Sequence, residues 1–265
     1  MTEELKDYVE GIRKSLQRAL EKEDYEKAFI IIGFLNEDEL KDMSKEERKE
    51  AESIAFYQLA ELFDQANDNA VQKAKLFGIS CDKQQAIKYY SQAARLGNMD
   101  ALPQLNVLYY ITGQLDKSAY ILEYGVKIKQ PDMCYAQGMK YYKKGKYEEA
   151  IEMFKIAYEQ DPTLGGYELG KIYENGTGVE KDLEAAFYYY LDAADCGDKL
   201  AMKEVGLKYK DSGIKTLASG DLESARWYLE HAIESGLKGR QLKEATEALE
   251  DVIDSLKDEK ARKMN

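Results

Sequence analysis

The chain has one histidine, three cysteines and 50 acidic residues, and these bound the chemistry open to it. A lone His231 excludes a metal site built from several histidines and would leave any Ser–His or Cys–His mechanism to a single residue. It stands beside Ala232, next to Trp227 and Tyr228, in a helical pattern, and reads as structural or solvent-facing. Cys81, Cys134 and Cys196 are far apart and form no CxxC pair for zinc or redox work, so they read as free thiols, buried or half-buried, in a reducing compartment. Asn175-Gly-Thr-Gly178 is the nearest approach to a phosphate loop. No predicted strand precedes it and no Gly-Lys-Ser or Gly-Lys-Thr follows, so it reads as a turn whose glycines supply positive φ. The acids are spread along helical stretches as solvated faces and single out no acid–base pair. The expectation is of no catalytic residue, no metal, no cofactor and no enzymatic activity.

The 265 residues include only 3 prolines, and 33% of them are charged, a helical composition. With 38 basic residues against 50 acidic, the formal charge is −12, which opposes a polyanion, so nucleic acid is not expected as a partner. Met1-Thr2-Glu3-Glu4-Leu5-Lys6-Asp7 has no basic or apolar leader character, and no run of 18 apolar residues occurs. The expectation is a cytoplasmic chain without a membrane span.

Self-similarity organises the sequence. Ala86-Ile-Lys-Tyr-Tyr90-Ser-Gln-Ala93-Ala94-Arg-Leu-Gly97 matches Ala186-Phe-Tyr-Tyr-Tyr190-Leu-Asp-Ala193-Ala194-Asp-Cys-Gly197. Related copies run Ala150-x3-Phe154-x2-Ala157 and Ala225-x3-Leu229-x2-Ala232, with a weaker one at Ser118-x3-Leu122-x2-Gly125. The spacing is helical and predicts the inner face of a second, or B, helix in each unit. Before each phrase stands another of apolar, small, two variable residues, aromatic: Leu59-Ala60-x2-Phe63, Leu105-Asn106-x2-Tyr109, Gln137-Gly138-x2-Tyr141, Leu169-Gly170-x2-Tyr173 and Val205-Gly206-x2-Tyr209. These predict the A helices. A mid-helix glycine costs about 1 kcal/mol relative to alanine, so its recurrence implies close packing, with the B-helix alanine expected to meet it.

Residues 165–201 resemble one Sel1-like repeat, through Leu169-Gly170-x2-Tyr173-x2-Gly176-x-Gly178-Val179 and the Ala193-Ala194-x2-Gly197 ending. Residues 133–162 resemble a plain tetratricopeptide repeat closed by Pro162, and 100–131 a degraded one in which Asn106 replaces the small residue and Gly125 the alanine. The unit at 55–97 carries an insertion from Gln65 to Asp82, and that at 200–236 an enlarged turn from Ser212 to Asp221. The resemblance implies an all-α fold, an α-α superhelix of helix-turn-helix repeats over 55–236. Residues 1–54 would form an N-terminal helical cap and 237–265 a C-terminal capping helix. The N-terminal part shows apolar stripes at Leu5, Val9, Ile12, Leu16 and Leu20, then Tyr25, Ala28, Phe29, Ile32 and Leu35. Ser44-Lys-Glu-Glu47 fits a capping box that opens the helix running to Phe63.

In such superhelices the A helices line the concave surface, and the resemblance implies protein binding there. Positions off the core register supply Tyr110, Tyr135, Met139, Tyr142, Lys143, Tyr167, Lys171, Glu174, Lys203 and Lys210, beside Pro103, Val107 and Leu207. Aromatic groups among lysines in an acidic chain suit a protein or peptide segment with apolar anchors and acidic neighbours. The expected function is that of an interaction scaffold or adaptor, with a dedicated escort for one client as the alternative and an enzyme with an acidic groove behind both. Met139 and Lys171 stand where a carboxylate-binding member of the superfamily needs asparagine, so that activity is not carried over.

Overall fold

A computed structural model describes residues 3–65 and 67–264, and their side chains apart from those of residues 3–8, 39, 263 and 264. Leu5 of the first apolar stripe and the Met1–Asp7 segment thus lie outside the described side chains. Fifteen helices and no strand occur among the described residues. The chain divides into two compact units, Met1–Met133 and Cys134–Asn265.

In the first unit α1 (Glu3–Glu21) packs on α2 (Tyr25–Ile31), followed by the short α3 (Glu37–Asp42). Next, α4 (Lys45–Asp64) opens with the expected box: Ser44 Oγ accepts from the Glu47 amide at 3.2 Å and Glu47 accepts from the Ser44 amide at 2.7 Å. Its partner is α6 (Lys83–Leu96), and the intervening insertion forms a helix of its own, α5 (Asp68–Phe77), capped by Asn67 at one end and by left-handed Gly78 at the other. Arg13 of α1 clasps the far end of α5, donating to the carbonyls of Lys75 and Leu76 at 2.9 Å each. The final hairpin pairs α7 (Ala101–Ile111) with α8 (Leu115–Lys127). Here Asn106 and Ser118 take the small-residue and alanine places, and the Ser118 hydroxyl donates to Asn106 Oδ1 at 2.7 Å, a polar pair standing in for close apolar packing. Phe29, Leu59 and Tyr90 lie at the centre of this unit's core.

The second unit runs through α9 (Pro131–Lys143, whose first three residues belong to the first unit), α10 (Tyr147–Tyr158), α11 (Gly166–Asn175), α12 (Leu183–Asp195), α13 (Lys199–Ser219), α14 (Leu222–Glu234) and α15 (Gly239–Met264). Helices 11 and 12, and 13 and 14, pair as hairpins. The recurring glycine has a packing cause, but its partner differs from the expected alanine. A Cβ on Gly138 would lie 2.7 Å from two ring carbons of Phe154, and one on Gly170 would lie 2.5 Å from Tyr190 Cε1. The B-helix aromatic ring, not the alanine, lies on the glycine. Both rings are fully buried, and burying such a side chain contributes about 1.5–3 kcal/mol each.

Most of the enlarged turn expected at Ser212–Asp221 is instead helix, since α13 continues to Ser219. Gly213 lies under the α14 residue Leu229, where a Cβ would come within 2.6 Å of Leu229 Cγ, while Gly206 faces Ser235 and Leu237. The glycine contact to the B helix has moved two turns along, and α13 is extended to reach it. The helix ends at Gly220, φ +83°, and Asp221 caps the next by accepting from the Ser224 amide.

Candidate protein-interaction face

The A helices of the second unit, α9, α11 and α13, carry most of the residues expected at a binding surface, and the structure sorts them into two groups. One group is engaged between repeats. The Tyr135 hydroxyl donates to Glu168 at 2.9 Å, joining α9 to α11, and burial together with that carboxylate pushes the phenol up from its ordinary value. Glu174 accepts from the Tyr190 hydroxyl at 3.0 Å and from Lys208 Nζ at 2.6 Å, joining α11 to α12 and α13. The Lys208 ammonium holds the Glu174 carboxyl below the usual carboxylate range. Lys210 was expected as an open cation. It is instead buried against α15 and donates to Glu244 at 2.8 Å. The Tyr135–Glu168, Lys208–Glu174 and Lys210–Glu244 contacts each link residues 33 or 34 positions apart, the length of one repeat, whereas Tyr190 and Glu174 belong to the same hairpin.

The other group faces solvent. Tyr142 is exposed, with its ring edge-on to Tyr147 at 5.4 Å, and Lys143 beside it is exposed. Met139 and Tyr167 are half-buried. Lys171 is exposed and extends over the Tyr167 ring, 5.5 Å from its centre, and that ring lies 5.9 Å from Tyr190. Lys203 is exposed near the start of α13. None of Lys143, Lys171 and Lys203 has an ion-pair partner among the described residues. Tyr110 belongs to the first unit, where it is 67% exposed on a stripe of α7 that also displays Val107 and Ile111.

Sequence reasoning missed Glu168, Lys208 and Glu244, the partners of the engaged group. A signal for the first was present. Tyr135 stands three residues before the small position of its A helix and donates to Glu168, two before the small position of the next, and Tyr57 and Gln104 hold the same two places in the first unit.

His231 stacks on Trp227 with ring centres 4.0 Å apart, and its Nδ1 lies 2.7 Å from the Trp227 carbonyl. The Asn175–Gly178 segment is the α11–α12 turn, with Gly176 and Gly178 at positive φ and Gly178 against the Tyr147 side chain. Cys134 is buried and Cys81 and Cys196 are exposed free thiols. Among the described residues no group of His, Cys, Asp and Glu could hold a metal ion, and no helix is long and apolar enough to cross a membrane.

The family model for the Sel1 repeat matches residues 75–98, 117–162 and 167–198. A Sel1 repeat protein from Oxalobacter formigenes has a similar structure, at TM-score 0.54 and 21% identity over 96% of this chain and all of the other. A protective antigen of uropathogenic Escherichia coli with an SLR fold is aligned at TM-score 0.47 and 19% identity over 77% of this chain, which spans about half (54%) of that protein. No curated protein is significantly similar in sequence. Two of the three matches take in the glycine–ring contacts of Gly138 with Phe154 and of Gly170 with Tyr190, and the first structural likeness shows the same all-α repeat fold; the chain carries Sel1-type repeats over the matched residues.

Proposed function

We propose that this protein is a cytoplasmic interaction scaffold that holds a segment of a partner protein on the A-helix face of its second unit. Helical repeat folds of this kind serve in general as protein-binding surfaces rather than as catalysts. The observation that supports the reading is the accessible set on three successive A helices: Tyr142 and Lys143, then Tyr167 and Lys171, then Lys203, with the lysines outside any ion pair among the described residues. Aromatic rings supply area at small entropic cost, and free cations in a chain of net charge −12 select an acidic partner and steer its approach. Tyr135, Glu174 and Lys210 then serve the face indirectly, by fixing the spacing of the helices that present it.

The test is retention of proteins from native lysate by wild type and by a Tyr142→Ala, Tyr167→Ala, Lys171→Glu variant that keeps its helical content. The expected result is one protein held by wild type and lost from the variant; equal retention by both removes the face from the account. The escort reading is favoured by a different observation, the exposed Val107, Tyr110, Ile111, Leu115 and Tyr120 of α7 and α8, a surface that could shield an apolar client. Coexpression separates the two, because an escort makes its client soluble and an adaptor does not.

A further inference from the structure

The N-terminal half of α13 and the connection from α14 to α15 enclose a cleft of about 610 Å³. Its lining includes the exposed Lys199, Lys203 and Lys238, the half-buried Met202, the buried Leu237 and Gln241, and no carboxylate. The whole chain carries 50 acids to 38 bases, so a cleft edged by three lysines and no acid is a local reversal of its charge. Two of the nearby acids are already engaged. Asp198 accepts from the amides of Leu200 and Ala201 at the start of α13, and Glu244 is held by Lys210 and Arg240. All three lysines are exposed, and none has an ion-pair partner among the described residues. Some cations elsewhere are paired, as Lys208 with Glu174 and Lys88 with Glu23.

We infer that this cleft binds an acidic peptide segment, its carboxylates on Lys199, Lys203 and Lys238 and an apolar side chain on Met202 and Leu237. The inference rests on the scaffold reading for the protein nature of the ligand and shares with it only Lys203. Nucleic acid fits the cleft poorly, because a continuous polyanion would meet the chain's overall negative field, whereas a short acidic segment meets only the local positive one. The apolar floor gives a hydrophobic anchor a place that a bare phosphate would leave empty.

The probe is a fluorescein-labelled peptide of repeated Glu-Leu-Glu-Gly with both ends blocked, compared with its Gln-Leu-Gln-Gly counterpart by fluorescence anisotropy on the full chain. Wild type is expected to bind the Glu peptide, more weakly as salt rises, and to leave the Gln peptide free. Lys199→Glu, Lys203→Glu, Lys238→Glu should weaken binding by about tenfold or more, while Lys215→Glu, Lys243→Glu, Lys260→Glu, with the same change in net charge, should weaken it far less. Circular dichroism on both variants confirms that each is folded. The Tyr142→Ala, Tyr167→Ala, Lys171→Glu variant should bind the peptide as wild type does. No binding by wild type, equal binding of both peptides, or equal loss in the two lysine variants overturns the inference. Loss only in the Tyr142, Tyr167 and Lys171 variant also overturns it, while leaving the scaffold reading intact. Complete displacement by inorganic phosphate at constant ionic strength would reassign the cleft to phosphate, and dimerisation of wild type that the Lys199, Lys203 and Lys238 variant lacks would reassign it to a second copy. Either result refutes the acidic-peptide assignment.

Discussion

Replacing Gly170 with alanine adds one methyl group, and the structure shows where it must go. Its carbon would lie 2.5 Å from Tyr190 Cε1 and 2.6 Å from Cδ1, about 1 Å inside a normal carbon–carbon contact. The Tyr190 ring cannot step aside freely, because it is fully buried and its hydroxyl is bound to Glu174 at 3.0 Å. Alanine returns about 1 kcal/mol of helix propensity. Against this, overpacking costs about 1–3 kcal/mol, and loosening the Tyr190–Glu174 bond costs about 1 kcal/mol more. The expected balance is a loss of about 1–3 kcal/mol, or a fall in Tm of roughly 3–10 °C for a chain of this size. Gly11 of α1 is the control, since nothing lies within 4 Å of the Cβ it would gain, and Gly11→Ala should stabilise by up to about 1 kcal/mol. Scanning calorimetry compares the two. If Gly170→Ala raised Tm as Gly11→Ala does, the glycine would not be seating the ring, and the packing rule drawn for the hairpins would be wrong.

A second contrast uses the two tyrosines at equivalent B-helix positions. Tyr190→Phe removes a bonded hydroxyl and should cost about 1 kcal/mol, whereas Tyr90→Phe removes a buried hydroxyl with no hydrogen-bond partner among the described residues and should be neutral or stabilising in urea unfolding. The acid equivalent to Glu174 in the first unit is the shorter Asp64, which pairs with Lys83 instead. A third prediction concerns pH. Lys208 lowers the folded-state pKa of Glu174 beneath the ordinary glutamate value of 4.5, so the stabilisation is fully present above that value and is lost as pH falls through the lowered folded pKa. Tm should therefore drop less steeply in Glu174→Gln than in wild type on acidification from pH 6, and parallel curves would show that the Glu174–Lys208 pair contributes no such term.

The repeat architecture was legible because its signals are local. Glycine at one place and an aromatic at another, each recurring with helical spacing, are statements about residues within one turn of each other, and Ser44–Glu47 announced its capping box in the same way. The misreadings came where a local signal has two physical causes. Gly213 resembles a turn residue, yet it lies mid-helix for the same reason as Gly170, to admit the neighbouring helix; only Gly220 followed by Asp221 marks the true end. The insertion after Gln65 was open to an extra helical turn or a loop, and it is a helix whose caps, Asn67 and Gly78, lie in a stretch too short to show a clear period. Lys210 and Glu174 looked open because their partners, Glu244 and Lys208, are 34 residues away, a distance that becomes a contact only when one repeat stacks on the next. Lys143, Lys171 and Lys203 differ from them by having no such partner among the described residues, which the sequence does not reveal.

The claim that the A-helix face of the second unit carries the partner is tested most directly by placing a photo-crosslinking residue singly at Tyr142, at Tyr167 and at Tyr188, a B-helix position that is 63% exposed, and irradiating the protein in cells. The account predicts one shared crosslinked product from positions 142 and 167 and none from 188. A product from 188 alone, or the same product from all three, would contradict it.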